Sequence, residues 1–288
     1  MTYHYKRERS EFWVTIHENE NDSCTITTTE KYVTLINKVF PLLRMISPTG
    51  WRESYTYPGL CNLWLPCVSC NLTLVNNFKQ WCERAIEDML WLGKNKNIEN
   101  FFGNELDFCI ATDFNLHYGA DRTEIGEAEY NLKYNFQNLN EEQERRYTNV
   151  INCRMLECAR QIPIHRNDEW LVSPMPATLE GRNKMAWQLA ETLADNLKLN
   201  FIEPSLRCQK PQMKQLTVLE KINVWKEIYS CGNVILKDDI IGKNIILIDD
   251  LYQSGATMWQ YAKYLKQLGA KSVWGLVCVK SLKDSDNR

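Results

Sequence analysis

No stretch of this chain approaches the 18 consecutive apolar residues that a membrane-crossing helix requires. Its first residues, Met1 to Arg7, run straight into polar sequence without the apolar segment of a secretory leader. The expected compartment is therefore the cytoplasm, with no membrane as partner. Charge of one sign is also missing. The 34 Lys and Arg against 36 Asp and Glu give a formal charge of -2, which is not the basic footprint of a duplex-binding protein. Lys6 to Arg9, Arg145–Arg146 and Lys280 to Lys283 are modest basic clusters that read as solvated faces, so nucleic acid is not an expected partner. Histidine is scarce, and its copies at 4, 17, 117 and 165 form neither a triad nor a metal-ligand spacing. There is no Walker A element, no dinucleotide-binding glycine fingerprint and no His-Glu-x-x-His, which removes those enzyme signatures. With 9 Pro and 12 Gly there is no compositional case for a linker or low-complexity tail.

What is present is ordinary globular sequence: 288 residues, 44% hydrophobic, enough for one large or two modest domains. Cysteine is abundant for a reducing compartment, at 11. The odd count, and apolar settings such as Cys109 and Cys278, point to reduced core thiols rather than a disulfide framework. Cys67-Val68-Ser69-Cys70, with Cys61 upstream and Cys82 downstream, offers four thiolates that could hold zinc tetrahedrally. Reduced structural cysteines are the competing reading.

The first 110 residues are rich in Trp, Tyr, Cys and Asn and read as an accessory region packed on a core. Thr28 or Thr29 is expected to cap a helix from Glu30 to Met45, and Asn76 or Asn77 one from Phe78 to Leu92. Trp51 to Leu72 reads as an irregular layer. Acid-rich helices are expected over Glu124 to Tyr134 and Glu141 to Ala159. From Glu169 strand and helix patterns alternate: strands near Trp170–Val172, Asn200–Ile202, Asn233–Leu236, Ile245–Ile248 and Val273–Val279, with helices between them. Ile245-Ile246-Leu247-Ile248 is a continuous apolar run, as a parallel strand covered on both faces requires. Residues 111–288 are thus expected to form an α/β domain with a mostly parallel sheet, binding ligands at the carboxyl ends of its strands.

The stretch Ile245 to Thr257 carries the chemistry. An apolar strand delivers two adjacent carboxylates, Asp249 and Asp250, to its carboxyl edge, and a short turn containing Gly255 then opens into a helix. Backbone N–H groups of Gln253, Ser254, Gly255, Ala256 and Thr257, with the hydroxyls of Ser254 and Thr257, would cradle a phosphate. The carboxylates repel phosphate but accept hydrogen bonds from sugar hydroxyls. A phosphorylated ribose suits both. The plainer alternative is a strand–turn–helix corner in which Asp250 only caps the helix.

This segment resembles the phosphoribosyl pyrophosphate signature of type I phosphoribosyltransferases, which Asp249, Asp250, Ser254, Gly255 and Thr257 match residue by residue. Tyr252 is bulky for its place, and Gln253 stands where the family has a small hydroxyl residue. Weaker similarity, over roughly residues 118–280, is to the competence-protein group related to amidophosphoribosyltransferases. It rests on Arg122 to Gly126, Leu132 to Tyr134, the loop Ser173-Pro174-Met175-Pro176, the helix opening Gly181-Arg182-Asn183-Lys184, and a flexible stretch at Lys210 to Gln212 and Glu220 to Val224. The resemblance implies a Mg²⁺-dependent transferase using 5-phosphoribosyl 1-pyrophosphate and a nitrogenous acceptor. It implies that Asp249 and Asp250 serve catalysis, and that Ser173, Pro174, Met175, Pro176, Arg182 and Lys184 hold pyrophosphate. The same group often carries a zinc ribbon built on two close cysteine pairs, of which this chain has one. The changed turn also leaves open a non-catalytic ribose-phosphate or nucleotide sensor that engages a protein partner. A homo-oligomer is a further expectation.

Overall fold

The computed structural model describes residues 1–69, 71–119, 121–165, 168–177, 185–209 and 216–283. The chain divides into two units, Met1–Trp91 and Leu92–Arg288. The sequence puts the boundary at residue 110. The structure puts it between Trp91 and Leu92, because residue 110 lies inside a buried strand of the second unit.

The first unit is built on an antiparallel sheet of Thr2–Lys6 (β1), Trp13–Glu18 (β2), Cys24–Thr29 (β3), Trp51–Glu53 (β4) and Leu60–Leu65 (β5), in the order β1-β2-β3-β5-β4. These strands alternate. Val14 and Ile16 are buried between half-exposed Thr15 and exposed His17, and Ile26 pairs with Ile16 on one side and Leu63 on the other. The expected irregular layer from Trp51 to Leu72 is corrected by β4 and β5. The expected helix from Glu30 to Met45 is two, Glu30–Val39 (α1) and Pro41–Ile46 (α2). Pro41 has no N–H to continue the ladder and drives Phe40 out of helical geometry, to φ -127 and ψ 62. The third helix, Leu72–Glu87 (α3), begins six residues before the expected Phe78, because Asn71 caps it by accepting from the Leu74 N–H at 3.1 Å. Leu90–Trp91 (β6) ends the unit.

Aromatic side chains fill this unit's core. The Phe12 ring lies 5.1 Å from Tyr32, 5.5 Å from Trp81 and 5.6 Å from Trp91, and Phe78 stacks on Trp81 at 5.8 Å. Burying each such ring contributes about 1.5–3 kcal/mol. Trp64, by contrast, is 43% exposed.

In the second unit, Phe108–Phe114 (β7) is followed by helices Glu124–Tyr134 (α4) and Glu141–Ala159 (α5), both as the sequence leads one to expect. Trp170–Pro174 (β8), Met185–Leu197 (α6), Asn200–Phe201 (β9), Ser205–Leu206 (β10), Val218–Ser230 (α7) and Val234–Ile235 (β11) come next. Asn244–Tyr252 (β12), Ala256–Gln267 (α8) and Ser272–Lys280 (β13) complete it. Strands β7, β13, β12, β8 and β9 lie side by side in that order, and every pairing among them is parallel. This is the α/β architecture with a mostly parallel sheet that the sequence implies. Ile245 to Ile248 are fully buried at its centre. The start of β12 is pinned by polar bonds: Ser272 Oγ donates to Asn244 Oδ1 at 2.6 Å, and Asn244 Nδ2 donates to the Glu169 carbonyl at 3.3 Å. Among the described residues no helix is long and apolar enough to cross a membrane.

Candidate functional site

Strand β12 runs four residues beyond its apolar stretch, so Asp249 and Asp250 stand within the strand at its carboxyl end, each half-buried. The chain then turns through Gln253 and Ser254 to Gly255, which begins α8 in the left-handed conformation, φ 83 and ψ -10. Only glycine holds that geometry without strain. A Cβ at this position would also collide with the Tyr252 side chain. The turn leaves the N–H groups of Thr257 and Met258, in the first turn of α8, without an intrahelical acceptor. Ser254 Oγ accepts from the Ala256 N–H at 3.4 Å.

Tyr252, out of pattern by sequence, is a structural part of the turn. It is 3% exposed, its hydroxyl accepts from Trp259 Nε1 at 3.1 Å, and it donates to the Gly93 carbonyl at 3.2 Å. Its ring therefore packs against Gly255. The buried ammonium of Lys280 at the end of β13 donates to the Gln253 carbonyl at 3.1 Å and to the Ser281 carbonyl at 2.8 Å. Those bonds fix the turn and set a positive charge behind it.

Asp249 to Met258 line an open cavity of about 240 Å³, together with Lys133, Tyr134 and Lys221. Asp250 Oδ2 lies 2.8 Å from Lys133 Nζ, and Lys133 reaches Glu129 Oε1 at 3.2 Å. Burial opposes the charge on Lys133, but the carboxylates of Asp250 and Glu129 outweigh it and hold its pKa above the ordinary lysine value. Burial raises the pKa of Glu129, with the charge of Asp250 adding to it. Helix α4 places this pair because Thr123 ties its start to the end of β7. The Thr123 hydroxyl accepts from the Gly126 N–H at 2.9 Å and donates to the Phe114 carbonyl at 2.5 Å. Gly126 permits the approach, since a Cβ there would strike the Asn115 carbonyl. Sequence reasoning missed Lys133 and Glu129 as part of the site. Their i,i+4 spacing signals a pair with each other, but nothing local announces the third partner from a strand 117 positions later.

A second cavity of about 560 Å³ also has Lys133 and Asp250 in its wall, and α5 and α6 supply much of the rest.

Of the expected pyrophosphate loop, Ser173 and Pro174 end strand β8 and Met175 and Pro176 follow it. Ser173 is fully buried, its hydroxyl bonded to the Pro174 carbonyl at 2.9 Å and 3.1 Å from the Tyr261 hydroxyl. The Met175 N–H donates to the Ile248 carbonyl at 3.1 Å, and Pro174 and Pro176 have no N–H to offer. Arg182 and Lys184 lie outside the described residues, as do Lys210, Pro211 and Gln212. Of the candidate zinc ligands, Cys70 lies outside them too. Cys61 is half-buried in β5, Cys67 is exposed and Cys82 is buried in α3. Burial raises the thiol pKa of both Cys61 and Cys82. Among the described residues no three His, Cys, Asp or Glu side chains are grouped to hold a metal.

No protein-family model matches the chain, and no curated protein does. Solved structures similar to parts of it include three phosphoribosyltransferases. A hypoxanthine phosphoribosyltransferase from Staphylococcus aureus is 11% identical, with 55% of this chain and 63% of that one covered and a TM-score of 0.28. A hypoxanthine-guanine phosphoribosyltransferase from Bacillus anthracis is 20% identical, over 45% and 68% of the two chains, with a TM-score of 0.30. A purine phosphoribosyltransferase from Pyrococcus horikoshii is 11% identical, over 48% and 83%, at 0.29. This chain thus spans less than two thirds of the S. aureus enzyme. At such scores the likeness does not decide the function, which has to come from the site.

Proposed function

We propose that the second unit is a Mg²⁺-dependent phosphoribosyltransferase that takes 5-phosphoribosyl 1-pyrophosphate and passes its ribose 5-phosphate to a nitrogenous acceptor. The observation that carries this reading is the delivery of two half-buried carboxylates, by a central parallel strand, to the threshold of a left-handed glycine turn that opens a helix. A phosphate at that turn meets backbone N–H groups and the helix N-terminus, while the carboxylates a few residues back accept from the ribose 2′- and 3′-hydroxyls. The order along the chain matches the order along the sugar.

Mg²⁺ prefers oxygen ligands and keeps several waters, and it would be held by the pyrophosphate and the ribose hydroxyls beside Asp249 and Asp250. When bound, the metal supplies charge neutralisation for the pyrophosphate leaving group. The protein's own part is positional and electrostatic. Asp249 and Asp250 fix the ribose, the turn fixes the 5′-phosphate, and Lys133 and Lys221 bring positive charge to the same cavity. The bond from C1 to the pyrophosphate oxygen breaks with its electron pair leaving on pyrophosphate, and the acceptor nitrogen forms the new bond to C1 and gives up its proton to solvent.

The test is release of pyrophosphate by the full chain given the donor, Mg²⁺ and a panel of nucleobases and ammonia. Metal-dependent release with one of them supports transfer. Tight donor binding with no release across the panel would replace it by a ribose-phosphate sensor.

A further inference from the structure

Lys133 and Asp250 stand in the walls of two cavities, the one at the glycine turn and the larger one against α5 and α6. Each partner of this pair has bonding capacity left. Lys133 Nζ meets Asp250 Oδ2 at 2.8 Å and Glu129 Oε1 at 3.2 Å, which uses two of the three N–H donors of an ammonium. Asp250 Oδ1 has no partner among the described residues. Asp249 Oδ1, by contrast, accepts from the Asp250 backbone N–H at 2.9 Å. One oxygen of Asp250 is thus held, and the other is left for a ligand.

Stability alone does not call for this arrangement. Only 6% of the Glu129 side chain and 19% of the Asp250 side chain are exposed, and replacing a buried ion pair by packed apolar residues is often neutral or stabilising. What apolar residues at 129 and 133 could not do is grip a carboxylate on β12. Without that grip the Asp250 side chain is free to turn about its own torsions, and it faces repulsion from Asp249 and from any phosphate at the turn. Glu129, one helical turn before Lys133, keeps the long lysine chain in place. The mount is rigid, since Thr123 ties the start of α4 to the end of β7.

We propose that Lys133 is a positioning residue, clamped by Glu129, that holds Asp250 by one carboxylate oxygen so that the other reads a ribose hydroxyl, and that it thereby sets the site's preference for a ribose phosphate over a deoxyribose phosphate. The inference rests on the ribose-phosphate reading of this site. It adds the residue that makes the site selective, one that acts through Asp250 rather than on the sugar itself.

Calorimetry on the full chain titrates ribose 5-phosphate, 2-deoxyribose 5-phosphate and 3-deoxyribose 5-phosphate into wild type, Lys133→Met, and a double variant combining Glu129→Gln with Lys133→Met. The double variant removes the buried carboxylate that Lys133→Met alone leaves unpaired, and circular dichroism checks that it is folded. Wild type is expected to bind the ribose compound at least tenfold more tightly than one of the deoxy compounds, and both variants to lose at least threefold of that ratio. General damage to the site would weaken all three ligands alike and leave the ratio where it was. In an Asp250→Asn background, Lys133→Met is expected to leave the ratio unchanged. No wild-type binding of ribose 5-phosphate would remove the ribose-phosphate site itself, and this inference with it. Wild-type binding without a preference for ribose, or a preference that survives in either folded variant, would overturn the role of Lys133 and leave the site standing.

Discussion

The two units bury their sheets in different ways, and the difference decides what each can do. In Met1–Trp91 the strands are antiparallel and bury alternate residues, as at Val14 and Ile16, and aromatic rings hold the core. In Leu92–Arg288 the strands run parallel and β12 is buried on both faces, so its carboxyl end can carry functional groups while its middle bears the packing. Adjacent carboxylates are tolerable at Asp249 and Asp250 because the strand leaves the core there. No two adjacent carboxylates end a described strand of the first unit.

The largest expected effect concerns the division itself. A chain beginning at Ala111 loses Phe108 to Ile110, the buried first part of β7, and should give no cooperative folding transition by circular dichroism. A folded product would show that β7 is dispensable and that the boundary at Trp91 is misplaced. Next comes the first unit's core: Phe12→Ala should cost about 3–5 kcal/mol, read as a lowered denaturation midpoint, since Phe12 contacts three other rings. A change under 1 kcal/mol would mean that the aromatic cluster is not what holds this unit.

At the site, Gly255→Val forces a β-branched residue into a left-handed position and drives its Cβ into Tyr252. The expected loss is about 1–3 kcal/mol of stability for the backbone strain alone, accompanied by loss of donor affinity. The sequence by itself suggests a folded protein that merely binds less well. The buried Tyr252 beneath the glycine is why stability falls as well. A variant with unchanged midpoint would remove Tyr252 from that role.

The smallest effect is a pH dependence. Burial raises the Glu129 pKa, so the native state holds that proton more tightly than the unfolded chain does. The group's contribution therefore favours the fold most at low pH and is lost as pH rises from about 4.3, the ordinary glutamate value, through the raised one. Lys133, also raised, contributes fully below about 10.4 and loses its contribution only above that. As pH rises from about 4.3, the midpoint of Glu129→Gln should gain on that of wild type. A constant difference between the two would show that Glu129 titrates normally.

The same contrast explains what could be read in the sequence. The parallel core is legible because β12 and β13 are apolar runs and strand and helix patterns alternate around them; Thr123, Asn140 and Thr217, which cap α4, α5 and α7, are further local signals. The antiparallel strands are not, since segments such as Thr25 to Thr29 alternate between a buried isoleucine or threonine and a half-exposed threonine, with no continuous apolar signal. Pro41 was the local signal that splits α1 from α2. Within the site, the acids and the glycine turn follow from residue order, but two features do not. The engagement of Ser173 with Tyr261 and of Asp250 with Lys133 are long-range contacts, and only the folded chain brings them together.

The central claim is that Asp249, Asp250 and the Gly255 turn together hold a ribose phosphate. Calorimetric titration of 5-phosphoribosyl 1-pyrophosphate with Mg²⁺ under reducing conditions tests it most directly, comparing wild type with Asp249→Asn and Asp250→Asn. The account predicts saturable wild-type binding and at least a tenfold loss in each variant, about 1.4 kcal/mol. No binding by the folded wild type, or equal affinity in all three proteins, would contradict it.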